Sequence, residues 1–103
     1  PIALIDHGVP VVAIVPRDRH YEKVLNNVEE VRARGADVIA VSTSTDRKIR
    51  KFADVVLPIP RASWYISPVL NILPLQLMAY YIADHKGTDV DQPRNLAKSV
   101  TVE

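Results

Sequence analysis

Cysteine is absent from the 103 residues, and glycine occurs only three times. The first absence excludes a disulfide framework, a thiolate zinc site and a catalytic thiol; it fits a reducing compartment. The second leaves no room for a P-loop or a G-x-G-x-x-G turn, and no G-x-S-x-G is present, so nucleotide binding or acyl transfer by those routes is excluded. No charge of one sign dominates: thirteen Lys and Arg face twelve Asp and Glu, for a net +1. Nucleic-acid binding driven by overall charge is thereby excluded. Long apolar runs are missing too. The most apolar stretch, Ile66 to Ile82, is broken by Pro68, Asn71, Pro74 and Gln76. It is shorter than the roughly 20 residues a membrane span needs. With 48% hydrophobic and 24% charged residues, the chain reads as one small cytoplasmic globular domain. It opens on Pro1 rather than Met and has no signal-peptide pattern, which suggests a processed chain, an excised piece or part of something longer.

What is present is alternating strand and helix pattern. PVVAIVP, Pro10–Pro16, is a β-branched apolar run between prolines, the pattern of a parallel strand buried on both faces. Asp18 offers a helix N-cap. Tyr21, Val24, Leu25, Val28 and Val31 then recur at helical spacing, and Gly35 supplies the left-handed stop. ADVIAV, Ala36–Val41, predicts a second buried strand, and Ser42–Asp46 (STSTD) a hydroxyl-rich turn. A short basic helix is expected over Asp46–Phe52 and a third strand over Ala53–Ile59. Strand, helix, strand, helix, strand predicts a right-handed parallel unit.

Ser67 and Pro68 read as cap and first turn of a helix running to about Lys86 and stopped by Gly87. Its apolar residues cover most of its circumference, which predicts burial on several sides and contact with another domain or subunit. Pro74 inside it predicts a kink. The tail, Thr88–Glu103, has neither helical stripe nor sustained alternation. The fold class is therefore α/β: a parallel three-layer, doubly wound half-domain with about three parallel strands, flanking helices and an irregular C-terminal tail.

Few residues suggest chemistry. His7, His20 and His85 lack metal-ligand spacing, and no metal is expected. Ser42, Thr43, Ser44 and Thr45 sit where a parallel strand ends, a place suited to a phosphate, but they read as plain capping and turn formation before that. Asp89 and Asp91 form a D-x-D that reads as turn structure before it reads as an ion site. Trp64 and Tyr65 fit packing better than ring stacking on a ligand. Lys98, between Ala97 and Ser99, carries an amine able to condense with an open-chain sugar carbonyl if its neighbours hold it partly neutral; most lysines, though, are solvated surface charges.

The tail KGTDVDQPRNLAKSVTVE, Lys86–Glu103, resembles the C-terminus of the glutamine–fructose-6-phosphate aminotransferase (glucosamine-6-phosphate synthase, isomerizing) family. PIALID, NNVEEVRARG and ILPLQLMAYYIA, at Pro1–Asp6, Asn26–Gly35 and Ile72–Ala83, are also similar, so the resemblance runs end to end. It implies that residues 1–87 are the C-terminal half of a sugar-isomerase (SIS) domain, with residues 88–103 as a catalytic tail. It implies a glutamine amidotransferase activity that moves ammonia from glutamine onto fructose 6-phosphate, yielding glucosamine 6-phosphate for hexosamine and UDP-N-acetylglucosamine synthesis. Lys98 in NLAKS then matches the Schiff-base lysine, and the carbonyl of Ala97 holds a sugar hydroxyl. Arg94 and Asn95 pin the tail.

The implied partners are the sugar phosphate, the remaining SIS and glutaminase domains, and a second copy in a homodimer, with no cofactor, nucleic acid or membrane. The family's proton-transfer glutamate and the histidine of its H-G-P motif lie before Pro1, and its phosphate-binding loops belong mainly to the other SIS subdomain, so the isolated chain is expected to be inactive. The alternatives are a non-catalytic SIS module that binds sugar phosphates and a purely oligomerising one.

Overall fold

The computed structural model describes residues 2–92. Three strands, β1 (Pro10–Val15), β2 (Asp37–Thr43) and β3 (Val55–Ile59), form one sheet in the order β1-β2-β3. Both pairings are parallel, with Val11 opposite Val38 and Ala40 opposite Val56. Helix α1 (Tyr21–Ala33) joins β1 to β2, and helix α2 (Ser67–His85) follows β3. The layers are α1, sheet, α2.

Side chains alternate across a strand, and the register decides which layer each meets. Val11, Ala13, Val15, Val38 and Ala40 turn toward α1, where Tyr21, Leu25, Val28 and Val31 complete the core. On the opposite face Ile39, Val55 and Leu57 meet Pro74, Leu77 and Met78 of α2 across a mostly apolar groove.

Both helices end alike. Gly35 N–H donates to Arg32 O and Ala36 N–H to Val31 O; Gly87 N–H donates to Asp84 O and Thr88 N–H to Ala83 O. Each glycine has positive φ, 90° and 66°, the left-handed residue that this paired closure requires. At Gly35 a side chain would also strike the His7 ring, 2.8 Å from Cε1.

Three local expectations are corrected. The helix N-caps are His20 and Ile66. Asp18 Oδ1 instead accepts the His20 N–H at 2.7 Å, closing the turn before α1. Ser67 lies inside α2, and Asn71 Nδ2 donates to its O and Oγ. The basic helix after β2 is a single 3-10 turn, Ile49–Lys51. Asp46 explains the short turn: its Oδ1 accepts the Lys48 and Ile49 N–H groups, which anchors the segment to β2 without a long helix.

The expected burial of β1 on both faces is also revised, and α2 stands, as expected, as a helix that this chain does not surround. β1 is covered on one face only, with Val12 and Ile14 exposed on the other. Helix α2 buries only Asn71, although it is apolar nearly all round. Leu73, Leu77 and Tyr81 are 49%, 58% and 63% exposed. One sheet face of two covered strands is too narrow to surround such a helix.

Candidate functional site

Three loops gather at the carboxyl ends of the parallel strands, where open α/β sheets place ligands. The first follows β1 and carries Arg17, Asp18 and Arg19. The second is the end of β2, with Thr43 and Thr45. The third, after β3, carries Arg61 and Trp64. They enclose a cavity of about 400 Å³. A neighbouring cavity of about 430 Å³ shares Arg17, Asp18, Arg19 and Arg61 with it and adds Thr45.

The walls are held from within. Arg17 N–H donates to Thr43 Oγ1 at 3.1 Å, tying the first loop to β2. The Arg17 guanidinium lies 4.9 Å from the Tyr21 ring centroid, and that of Arg19 5.3 Å from the Trp64 ring. Each contact sets the cation over the electron-rich face of a ring. Trp64 packs edge-on against Tyr65, with centroids 5.7 Å apart. Its exposed position allows these contacts and gives it no place in the core.

Below the cavity lies a buried polar node. Ser42 points to the α1 side, its Oγ 2.8 Å from Val15 O and 3.1 Å from Asp46 Oδ2. Burial pushes the Asp46 carboxyl up, but the neighbouring Tyr21 hydroxyl, the N–H groups of Ile49 and Lys48, and Ser42 together hold it below its usual value. Tyr21 Oη is buried and makes no hydrogen bond at bonding geometry among the described residues, so Asp46 acts on it as a nearby charge. Burial first, then that carboxylate, push the phenol up to about 12. This node fixes the strand ends, and only Tyr21 of it also lines a cavity, the neighbouring one.

The hydroxyl cluster therefore divides. Ser42 is structural, whereas Thr43 and Thr45 line the cavities. Asp89 serves the turn, its Oδ1 accepting the N–H groups of Asp91 and Gln92. Among the described residues no group of three or more His, Asp or Glu could hold a metal ion. Lys98 and Ala97 lie outside the described residues, as does most of the tail assigned to 88–103. Sequence reasoning passed over the arginines. A signal was there: Pro16-Arg17 and Pro60-Arg61 each stand directly after a strand. Among the described residues that line the main cavity, Asp18 is the one titratable base and none is lysine or histidine. Its equipment suits binding rather than proton transfer.

A parallel α/β layer with its polar loops at the strand ends defines a domain of the doubly wound class. Within that class the chain belongs to the SIS domain family, whose model matches residues 1–85. It is 56% identical over all 103 residues to a glutamine–fructose-6-phosphate aminotransferase [isomerizing] of Aquifex aeolicus, and 54% to that of Methanosarcina acetivorans. The chain spans 17% of the length of each. The solved C-terminal domain of the glucosamine-fructose-6-phosphate aminotransferase from Francisella tularensis matches 89% of this chain, and 26% of its own, with a TM-score of 0.76 and 38% identity. The chain is homologous to part of that C-terminal domain.

Proposed function

We propose that this chain serves as the C-terminal part of the isomerase region of a glutamine–fructose-6-phosphate aminotransferase, with Lys98 as its Schiff-base residue. The observation that carries the reading is identity of 56% across all 103 residues with the Aquifex aeolicus enzyme, including the segment that ends in NLAKSVTVE. The name of that enzyme supports the substrate class proposed here, glutamine and fructose 6-phosphate.

In this reading the Lys98 amine adds to C2 of the open-chain ketose, and loss of water leaves an imine that holds C2 for ammonia. The Ala97 carbonyl accepts a hydrogen bond from a sugar hydroxyl. The glutaminase domain and the other SIS subdomain supply ammonia and the phosphate cradle, and a second copy completes a homodimer in the cytoplasm. Among the described residues no helix is long and apolar enough to cross a membrane. Without those partners the 103 residues lack acid, base and phosphate cradle, so they are inactive alone.

The test is borohydride trapping of fructose 6-phosphate on the full-length protein, with Lys98→Ala and Lys98→Arg beside it. A reduced adduct on Lys98, and loss of amino-sugar formation in both variants, is the expected result. Undiminished synthesis by Lys98→Arg overturns the assignment. The exposed apolar side of α2 favours a second reading, a non-catalytic SIS module for sugar-phosphate binding or oligomerisation; an unlabelled Lys98 would select it.

A further inference from the structure

We propose that Arg19 and Trp64 form a strap across the mouth of the cavity at the carboxyl edge of the sheet, and that release of this one contact opens the cavity to solvent. The strap uses no residue of the tail, so it stands apart from the Lys98 reading.

The burial of the lining separates floor from rim. Thr43 and Ile59, at the ends of β2 and β3, are buried, and Ser67 on the wall is half-buried. Arg19, Arg61 and Trp64 are exposed and belong to the rim. Across that rim the first loop faces the third. Among the described residues no hydrogen bond or ion pair joins residues 16–20 to residues 60–66. The Arg19 guanidinium, set over the Trp64 ring, crosses the gap.

The other stack on the first loop shows why this one can part. Arg17 lies over Tyr21, a buried residue of α1, and its N–H is tied to Thr43 Oγ1. That stack has a core residue as its platform. Trp64 is largely exposed, and its edge-on neighbour Tyr65 is more exposed still. Arg19 is exposed as well, and its Nε donates to His20 Nε2 at 3.0 Å within its own loop. A cation over a ring is weak when both partners meet water, so the closed form exceeds the open one by only about two- to fivefold. Both forms are populated.

The two backbones are held while the side chains separate. Asp18 Oδ1 accepts the His20 N–H on one side. On the other, Ser63 O accepts the Ile66 and Ser67 N–H groups at 3.1 and 3.0 Å. Opening therefore asks for rotation of the Arg19 side chain and for no loop rearrangement. Exposed side chains rotate within picoseconds to nanoseconds. With exchange that fast, entry into the cavity scales with the fraction of time the strap is open.

The test is alkylation of a thiol behind the strap. Ser67→Cys places one on the half-buried wall. Its reaction with N-ethylmaleimide is followed by mass spectrometry in the full-length protein, at the alkaline limit where the thiol is ionised, so that a lost positive charge does not alter the rate through the thiolate fraction. Adding Arg19→Gln should speed labelling about three- to sixfold. Arg61→Gln, on the same rim and outside both ring contacts, should leave the rate unchanged. In a Trp64→Ala background Arg19→Gln should add nothing, because the contact it removes is already gone. An unchanged rate with Arg19→Gln overturns the proposal. So does equal acceleration by Arg61→Gln, or a full further effect of Arg19→Gln without Trp64. Should Ser67→Cys fail to fold, acrylamide quenching of Trp64 decides, read as the difference between wild type and Trp64→Phe. Arg19→Gln should raise the quenching of that signal, and equal quenching overturns the proposal.

Discussion

The two faces of the sheet are built from the same kinds of residue and meet different fates. Toward α1, valines and alanines of β1 and β2 close on Tyr21, Leu25, Val28 and Val31, and Leu25 is 0% exposed. Toward α2, an equally apolar set meets a helix that buries only Asn71 and leaves Leu77 58% exposed. Burial stabilises in proportion to apolar area removed from water, so side chains of equal size contribute unequally on the two faces. The difference shows that apolar pattern states what a surface requires and leaves open whether the same chain supplies it.

The largest expected effect probes the closed face. Leu25→Ala removes a fully buried side chain and should cost about 2–5 kcal/mol in denaturant unfolding. Leu77→Ala on the open face should cost under about 1 kcal/mol in the 103-residue chain. The same Leu77 change measured in the full-length protein sharpens the contrast: a cost there approaching that of Leu25→Ala means the face is covered in the larger assembly, and an unchanged small cost breaks the comparison.

The two glycine stops give the next effect. Gly35→Ala meets both positive φ and the His7 ring, whereas Gly87→Ala meets positive φ alone with nothing within 4 Å. The second should cost about 1 kcal/mol and the first clearly more, which a pair of melting curves checks.

The polar node under the α1 side predicts the pH response. Asp46 has its pKa lowered in the fold, so its contribution is present above the unfolded value of about 3.8 and is lost as pH falls through the folded one. Tyr21 is raised from 10.0 to about 12, so its contribution is whole below pH 10 and is lost as pH rises toward 12. Denaturation midpoints should therefore decline at both ends, and Asp46→Ala should flatten the acid limb while costing about 1–3 kcal/mol through the N–H groups left without an acceptor.

The smallest effect belongs to the exposed Lys48–Glu22 pair, spanning 2.8 Å. Glu22→Gln should change stability by less than about 1 kcal/mol, with the difference fading in salt.

Much of this was legible in order. Four of the five stripe residues from Tyr21 to Val31 became the buried side of α1, with Val24 partly buried beside them, and Gly35 and Gly87 became the closing residues of both helices. The β-branched runs became three parallel strands. The basic stretch after β2 misled because a helix needs several turns to hold itself, and the Asp46 carboxylate satisfies the first N–H groups within one turn. The STSTD cluster could not be divided from sequence, since alternate residues of a strand end face opposite ways and only the register says which way is inward.

Local pattern by itself determined the elements, their order and their apolar sides, because strand and helix periods are properties of neighbouring residues. It also carried the kinship with the SIS family through residues 1–85. Only the tertiary structure decided that Arg17, Arg19 and Arg61 share one cavity with Thr43, Ser67 and Trp64. Those residues come from segments that are distant along the chain, and parallel pairing brings them together by placing every strand's carboxyl end on one edge.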